Sequence, residues 1–284
     1  MKVINAIEQM WRERSLVAGR LGLVPTMGAL HDGHLALIQR CRAESDLAAI
    51  SIFVNSKQFD SYDDLSSYPR DLQRDLDIAK GAGIDLVWTP TKEDIYPDGF
   101  ATTVTVTGVS ERWEGTSRPR HFAGVATVVA KLLSVARPDL AYFGRKDAQQ
   151  LAVVRRLVAD LGMATDIVAC ATVRAADGLA LSSRNQRLDA SARQQAVALR
   201  KGLQAISYAY VDGLRSVDEL VAIGARVMEA AADAVDYLAI VDPVTFTQAT
   251  AVSSSTLVIG AAHFGGVRLI DNLPLDPATT KGEH

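Results

Sequence analysis

Cysteine is scarce in this chain: only Cys41 and Cys170 occur, far apart and without a CxxC pair. Excess charge of either sign is also missing, and a net charge of −3 gives no electrostatic basis for binding nucleic acid. No apolar run is long enough to cross a bilayer, which takes about 20 residues. The best candidate, Phe122 to Ala136, is shorter and is broken by Lys131. Glu8 and Glu13 fall where a secretory signal needs an uninterrupted apolar core, so a cytoplasmic protein is expected. Repeats and low-complexity segments are absent as well. What remains is ordinary globular composition, 48% hydrophobic and 22% charged over 284 residues, enough for one large domain and a smaller one.

The most informative stretch is Pro25 to His34, PTMGALHDGH. It follows the apolar run Leu21 to Val24 and precedes Leu35, Leu37, Ile38 and Cys41 at helical spacing, which makes it a strand-to-helix turn. Gly28 and Gly33 let backbone approach a ligand, and a helix starting near Gly33 aims unpaired N–H groups at an anion. His31 and His34, three apart, project to one side of the first turn and offer two donors to one phosphate. The same HxxH spacing is also half of a metal site, although no third ligand lies nearby in sequence.

Along the chain, Ile7, Met10 and Trp11 mark an amphipathic helix over Ala6–Ser15, and Leu47–Val54 reads as a strand buried on both faces. Just beyond it, Asn55, Lys57 and Gln58 occupy the carboxyl edge of a parallel sheet, where ligands collect, or are an ordinary polar loop. Pro69 is compatible with the first position of a helix bearing Leu72, Leu76 and Ala79. Strand Ile84–Trp88 follows, and the threonine–valine alternation of Thr102–Thr107 predicts an extra strand. Val125, Val128 and Val129 share one helical face and read as core by spacing alone. Strand Leu140–Phe143 leads into Gly144 to Gln150, where Asp147 and Gln150 have capping-box spacing. Lys146 is either solvated or placed on a phosphate. After strand Thr165–Ala171 the chain changes character near Asp177-Gly178. Ser182, Ser183 and Arg184 supply hydroxyls and a fork-shaped cation suited to triphosphate oxygens, or form a simple turn before a helix near Asp189. Helices over Gln194–Tyr210 and Val217–Ala232, strands over Asp236–Val241, Thr256–Ala262 and Val267–Ile270, and a disordered tail from Pro274 complete the expectation.

PTMGALHDGH resembles the first motif of the pantoate–β-alanine ligases, within the nucleotidylyltransferase superfamily whose HxGH histidines bind ATP. Five further blocks are similar, in family order. Asn55-Ser56-Lys57-Gln58-Phe59 matches Asn-Pro-x-Gln-Phe, with Ser56 replacing the proline. Tyr96 to Gly99 reads Tyr-Pro-Asp-Gly as in the family, and Arg118 to Val129 matches RPxHFxGVxTVV. Gly144 to Gln150 matches GxKDxQQ, with Arg145 where many members have Glu, and Leu181 to Asn185 matches MSSRN with Leu181 for Met.

The resemblance implies a doubly wound, Rossmann-like parallel α/β sheet over residues 1–174, and a smaller α+β lid over 175–284. It implies that His31, His34, Lys146, Ser182, Ser183 and Arg184 carry adenylate formation. Pro25, Thr26, Met27, Gly33, Gly144, Asp147 and Val173 would bind ATP, and Met27, Gln58, Phe59, Val125, Val128, Val129 and Gln150 would bind pantoate. Asn55, Tyr68 and His121 are candidates for β-alanine, with Arg118 nearby. Mg²⁺ would accompany ATP, with its protein ligands unspecified, and the active form would be a homodimer. Two other classes remain open. Another transferase of the superfamily would keep HDGH but lack the NSKQF and GRKDAQQ blocks, and a non-catalytic nucleotide binder would lose the charged set.

Overall fold

A computed structural model describes residues 1–276 and divides into two compact units, 1–145 with 150–171, and 146–149 with 172 onward. In the first unit β1 (Lys2–Ile4), β2 (Leu21–Thr26), β3 (Leu47–Ile52), β4 (Leu86–Trp88), β5 (Leu140–Gly144) and β6 (Asp166–Cys170) form one sheet in the order β1-β4-β3-β2-β5-β6. Every pairing is parallel. The order reverses between β2 and β5, so the crevice beyond their carboxyl ends is the topological switch point where open α/β sheets hold ligands. Both turns singled out in the sequence leave the sheet there.

Helices α1 (Ile7–Leu16), α2 (Asp32–Glu44), α3 (Tyr62–Ser66), α4 (Leu72–Gly81), α5 (Lys92–Ile95), α6 (Glu114–Ser117), α7 (His121–Ala136) and α8 (Ala148–Asp160) complete the α/β pattern. Successive strand residues point to opposite faces, and Leu23 and Val24 of β2 are both fully buried, so helices cover both sides. Ile38 and Cys41 of α2 and Ala79 of α4 pack with Val24, Ile50, Val87 and Tyr142. In the second unit α9 (Ala190–Val211) and α10 (Val217–Glu229) accompany an antiparallel sheet of β7 (Ala234–Val241), β8 (Leu257–Phe264) and β9 (Val267–Pro274). The expected α/β sheet and small α+β unit are both present.

Three local expectations are corrected, and one strand is added. The threonine–valine segment 102–107 is not a strand, because Val104 donates its N–H to Thr127 Oγ1 on α7 (3.0 Å) instead of to a sheet neighbour. Pro69 does not begin a helix: Asp71 caps α4 by accepting from Arg74 N (3.0 Å), and the helix starts at Leu72. Strand β1 is too short to show periodicity and pairs with β4 at the sheet edge. Pro274 ends β9 and Leu275 is fully buried, its N–H donating to Thr256 O at 3.0 Å, so order continues past the expected boundary. The rest of the expected disordered tail, 277–284, lies outside the described residues.

Candidate active site

The turn after β2 is built on a buried carboxylate. Gly28 and Ala29 both have positive φ, 80° and 52°, which leaves the N–H groups of Ala29 and Leu30 outside any regular ladder. Asp75 of α4, only 2% exposed, accepts both, at 2.9 and 2.8 Å. Thr26 Oγ1 donates to Ser51 O (2.8 Å) and accepts Gly28 N–H (3.2 Å), tying the turn to β3. A Cβ on Gly28 would lie 2.6 Å from Asp75 Oδ2, so glycine is required here for room as well as for backbone conformation. Asp75 escaped the sequence reading. Its signal is a carboxylate three residues after Leu72 and four before Ala79, on the face α4 buries.

His31 is the N-cap of α2 and His34 its N3 residue, and together they form a capping box made of imidazoles. His31 Nδ1 accepts from Gly33 N (3.1 Å), while His34 Nδ1 accepts from His31 N (3.3 Å). Since each Nδ1 receives a backbone proton, each neutral ring carries its own proton on Nε2. The rings lie 4.2 Å apart, centroid to centroid, at the positive end of a 13-residue helix. That arrangement suits an anion with several oxygens. The HxGH spacing is thereby explained by helix capping: the glycine supplies the N–H that fixes the first histidine.

Beyond β3, the candidate pantoate and β-alanine residues form one braced cluster. Asn55 is 1% exposed. Its Nδ2 donates to Gln58 Oε1 (2.9 Å) and to Gly124 O (3.0 Å), and its Oδ1 accepts from Tyr96 OH (2.7 Å) and Lys57 N (3.3 Å). Both Asn55 amide protons therefore serve the loop, and Gln58 is oriented so that Nε2 is the donor its side chain can offer. Burial pushes the Tyr96 phenol well above its ordinary pKa, keeping it a donor. His121 Nδ1 donates to Gln58 O (2.9 Å), which also accepts from Arg118 Nη2 (3.0 Å). Gly124 lets α7 touch this loop, because a Cβ there would sit 2.3 Å from Lys57 O. Val125, Val128 and Val129 are all buried on the same helix. Met27 and Phe59 meet Tyr68 in a small apolar cluster with Ala29, the two aromatic rings edge-on at 5.6 Å. Gln150 is half-buried in the first turn of α8.

The second unit carries the other candidates. Lys146, half-buried, pairs with Asp147 Oδ1 at 3.3 Å, directly after Gly144 and Arg145 in the chain. Val173 O accepts Leu181 N–H (2.9 Å), and Arg174 bridges to Ala180, so 173–181 is a hairpin with Gly178 (φ 86°) at its tip. Its return arm delivers Ser182, the N-cap of a short 3₁₀ turn over Ser183–Arg187 that holds Arg184 N at 3.3 Å. Arg174 is clamped by Asp271 at 2.7 and 3.0 Å, and Asn272 Nδ2 donates to Lys146 O at 2.8 Å. Neither Asp271 nor Asn272 was anticipated, since the β9 segment shows only strand patterning. Among the described residues no group of three or more His, Cys, Asp or Glu could hold a metal ion.

Comparison with known proteins finds matches over nearly the whole chain. A profile of the pantoate–β-alanine ligases matches residues 1–274. A pantothenate synthetase of Gluconobacter oxydans is 51% identical over 256 residues, 90% of this chain and 93% of that protein. A crystal structure of pantothenate synthetase from Thermus thermophilus superposes with a TM-score of 0.93 at 44% identity, covering 98% of this chain and 100% of that one. The Francisella tularensis ligase, described as complexed with β-γ ATP and β-alanine, superposes with a TM-score of 0.82 at 33% identity over 97% of this chain and 98% of its own. With its paired-histidine turn, its braced NSKQF loop and its full-length match to these enzymes, the chain belongs to the pantoate–β-alanine ligase family.

Proposed function

We propose that the protein condenses pantoate with β-alanine at the expense of ATP, through a pantoyl-adenylate intermediate. The observation that carries this reading is the His31–His34 capping box, with protons on both Nε2 atoms at the N-terminus of α2 beyond the sheet's switch point. In the first step an oxygen of the pantoate carboxylate attacks the α-phosphorus of ATP, and the bond to pyrophosphate breaks. In the second, the neutral amine of β-alanine attacks the acyl carbon, the C–O bond to AMP breaks, and the nitrogen loses a proton as the amide forms.

The substrate supplies the nucleophile, so the protein's task is to position groups and neutralise charge. His31 and His34 donate to phosphate oxygens as negative charge shifts toward the leaving group. Lys146 supplies a cation along the triphosphate, and Ser182, Ser183 and Arg184 steady the departing pyrophosphate. Pro25, Thr26, Met27, Gly33, Gly144, Asp147 and Val173 shape the nucleotide's surroundings. Gln58 and Gln150 bind pantoate oxygens, while Val125, Val128, Val129, Met27 and Phe59 face its paired methyl groups. Asn55, Tyr68 and His121 serve β-alanine, Asn55 and His121 also bracing the Gln58 loop and Tyr68 lying against Phe59. Mg²⁺ would arrive on ATP, held mainly by phosphate oxygens and screening their charge. The working form in this reading is a cytoplasmic homodimer.

ATP–pyrophosphate exchange with pantoate and Mg²⁺, without β-alanine, tests the first half-reaction. Exchange that requires pantoate supports the reading. Exchange with a different hydroxy acid and none with pantoate would discard the named substrate, and no exchange with any acid would discard the adenylate.

A further inference from the structure

Two adjacent residues of β9 hold both stretches of the second unit that supply phosphate-directed side chains. Asp271 and Asn272 are 4% and 7% exposed, unusual burial for an acid and an amide at successive positions of a strand. Their register is fixed by pairing along the full length of β8, with Gly260 opposite Asp271 and Ile259 opposite Asn272. The Asp271 carboxylate accepts a bidentate pair from Arg174, at 2.7 and 3.0 Å. Arg174 in turn donates to Gly178 O (3.2 Å), bracing the hairpin that delivers Ser182 to Arg184. Asp271 Oδ1 also accepts the Asn272 N–H at 2.8 Å, which stiffens the step between the two residues. Asn272 then reaches the other stretch, donating Nδ2 to the Lys146 carbonyl at 2.8 Å.

Lys146 lies two residues beyond the end of β5, yet residues 146–149 belong to the second compact unit. The Asn272 bond ties this stretch to β9. A lysine ends in a flexible four-carbon stem, so the place its ammonium can reach depends on where its backbone is held. A turn carbonyl pinned to a strand that pairs along its length with β8 limits that range before any nucleotide binds.

We infer that Asn272 is a positioning residue for Lys146, and that Asp271 does the same for the Ser182–Arg184 turn through Arg174. The inference rests on the reading in which Lys146 meets the triphosphate. Its test is a double-mutant cycle on the full chain, measuring pantoate-dependent ATP–pyrophosphate exchange for Lys146→Ala, Asn272→Ala and the double variant, with thermal unfolding of each. Asn272→Ala should lower the exchange kcat by about 10–30-fold, with the KM for pantoate changed less than about twofold. In the Lys146→Ala background the same change should cost less than about twofold, because the group it positions is gone.

If Lys146→Ala alone leaves exchange intact, the phosphate role of Lys146 falls and takes the inference with it. If Lys146→Ala is deleterious but Asn272→Ala is harmless, or keeps its full penalty in the double variant, only the positioning role is overturned. Should Asn272→Ala fold poorly, Asn272→Leu fills a similar volume without the donor and is read by the same criteria.

Discussion

Replacing Asp75 with alanine removes the only side chain, among the described residues, that satisfies Ala29 N and Leu30 N, and both N–H groups stay buried. Hydrogen bonds to a charged group are worth roughly 1.5–3 kcal/mol each, so losing two here costs about 3–6 kcal/mol. The turn also keeps Gly28 and Ala29 at positive φ, a conformation that costs a non-glycine residue about 1–3 kcal/mol and persists only while its surroundings enforce it. Without the carboxylate the turn should relax, shifting the start of α2 and with it His31 and His34. Trp11, Trp88 and Trp113, the chain's three tryptophans, all belong to the first unit, so their emission follows its unfolding alone. With a urea slope of about 3 kcal/mol per molar, the upper end of the usual range and apt for a unit this large, Asp75→Ala should lower the midpoint by about 1–2 M. Exchange activity, measured well below that midpoint, should fall about 10–100-fold, as expected when reacting groups are misplaced by about 1 Å. A midpoint shift below about 0.3 M with unchanged exchange would refute the account of the turn.

Lys146→Ala should reduce pantoate-dependent exchange by about two to three orders of magnitude, equivalent to about 3–4 kcal/mol of transition-state stabilisation, and a loss under fivefold would reject its role. Gly124→Ala places a methyl against Lys57 O and should destabilise the first unit by about 1–3 kcal/mol. It should also raise the KM for pantoate more than it lowers kcat, because Gln58 moves with the loop, and a change confined to kcat would contradict that link. Burial pushes the Cys41 thiol up from 9.0 to about 11. The unfolded chain then loses its proton first, so stability is full below pH 9 and falls by about 2–3 kcal/mol by pH 11. Urea midpoints at pH 8 and 10.5 should differ by less in Cys41→Ala than in the wild type, and an equal difference would remove the thiol from the explanation.

What the sequence made legible was local. Strand-to-helix turns announce themselves by a change of hydrophobic period, and His31, His34 and Lys146 sit on such turns, whereas Ser182 leads from a hairpin into a 3₁₀ turn. The histidine pair gained meaning from structure mainly in which nitrogen carries the proton, something spacing does not specify. Less legible were residues whose partners are remote in the chain. Asp75 reaches Ala29, Asn272 reaches Lys146, and Asp271 reaches Arg174, and none of these pairings has a periodicity or motif of its own. The 102–107 segment failed for the related reason that alternation reports a strand only when another strand is there to pair with. Asn55 and Gly124 lay inside recognisable blocks, but that one holds the loop and the other lets α7 approach it emerges only from the packing.

The central claim is that the carboxylate of pantoate is activated by transfer of AMP. Pantoate labelled with ¹⁸O in its carboxylate, turned over with ATP, Mg²⁺ and β-alanine, tests it most directly by mass spectrometry of the products. The account predicts one ¹⁸O in AMP and none in pyrophosphate, since the carboxylate oxygen that bonded to the α-phosphorus leaves with it. Label in inorganic phosphate, with ADP as the nucleotide product, would mean activation at the γ-phosphorus and would contradict the account.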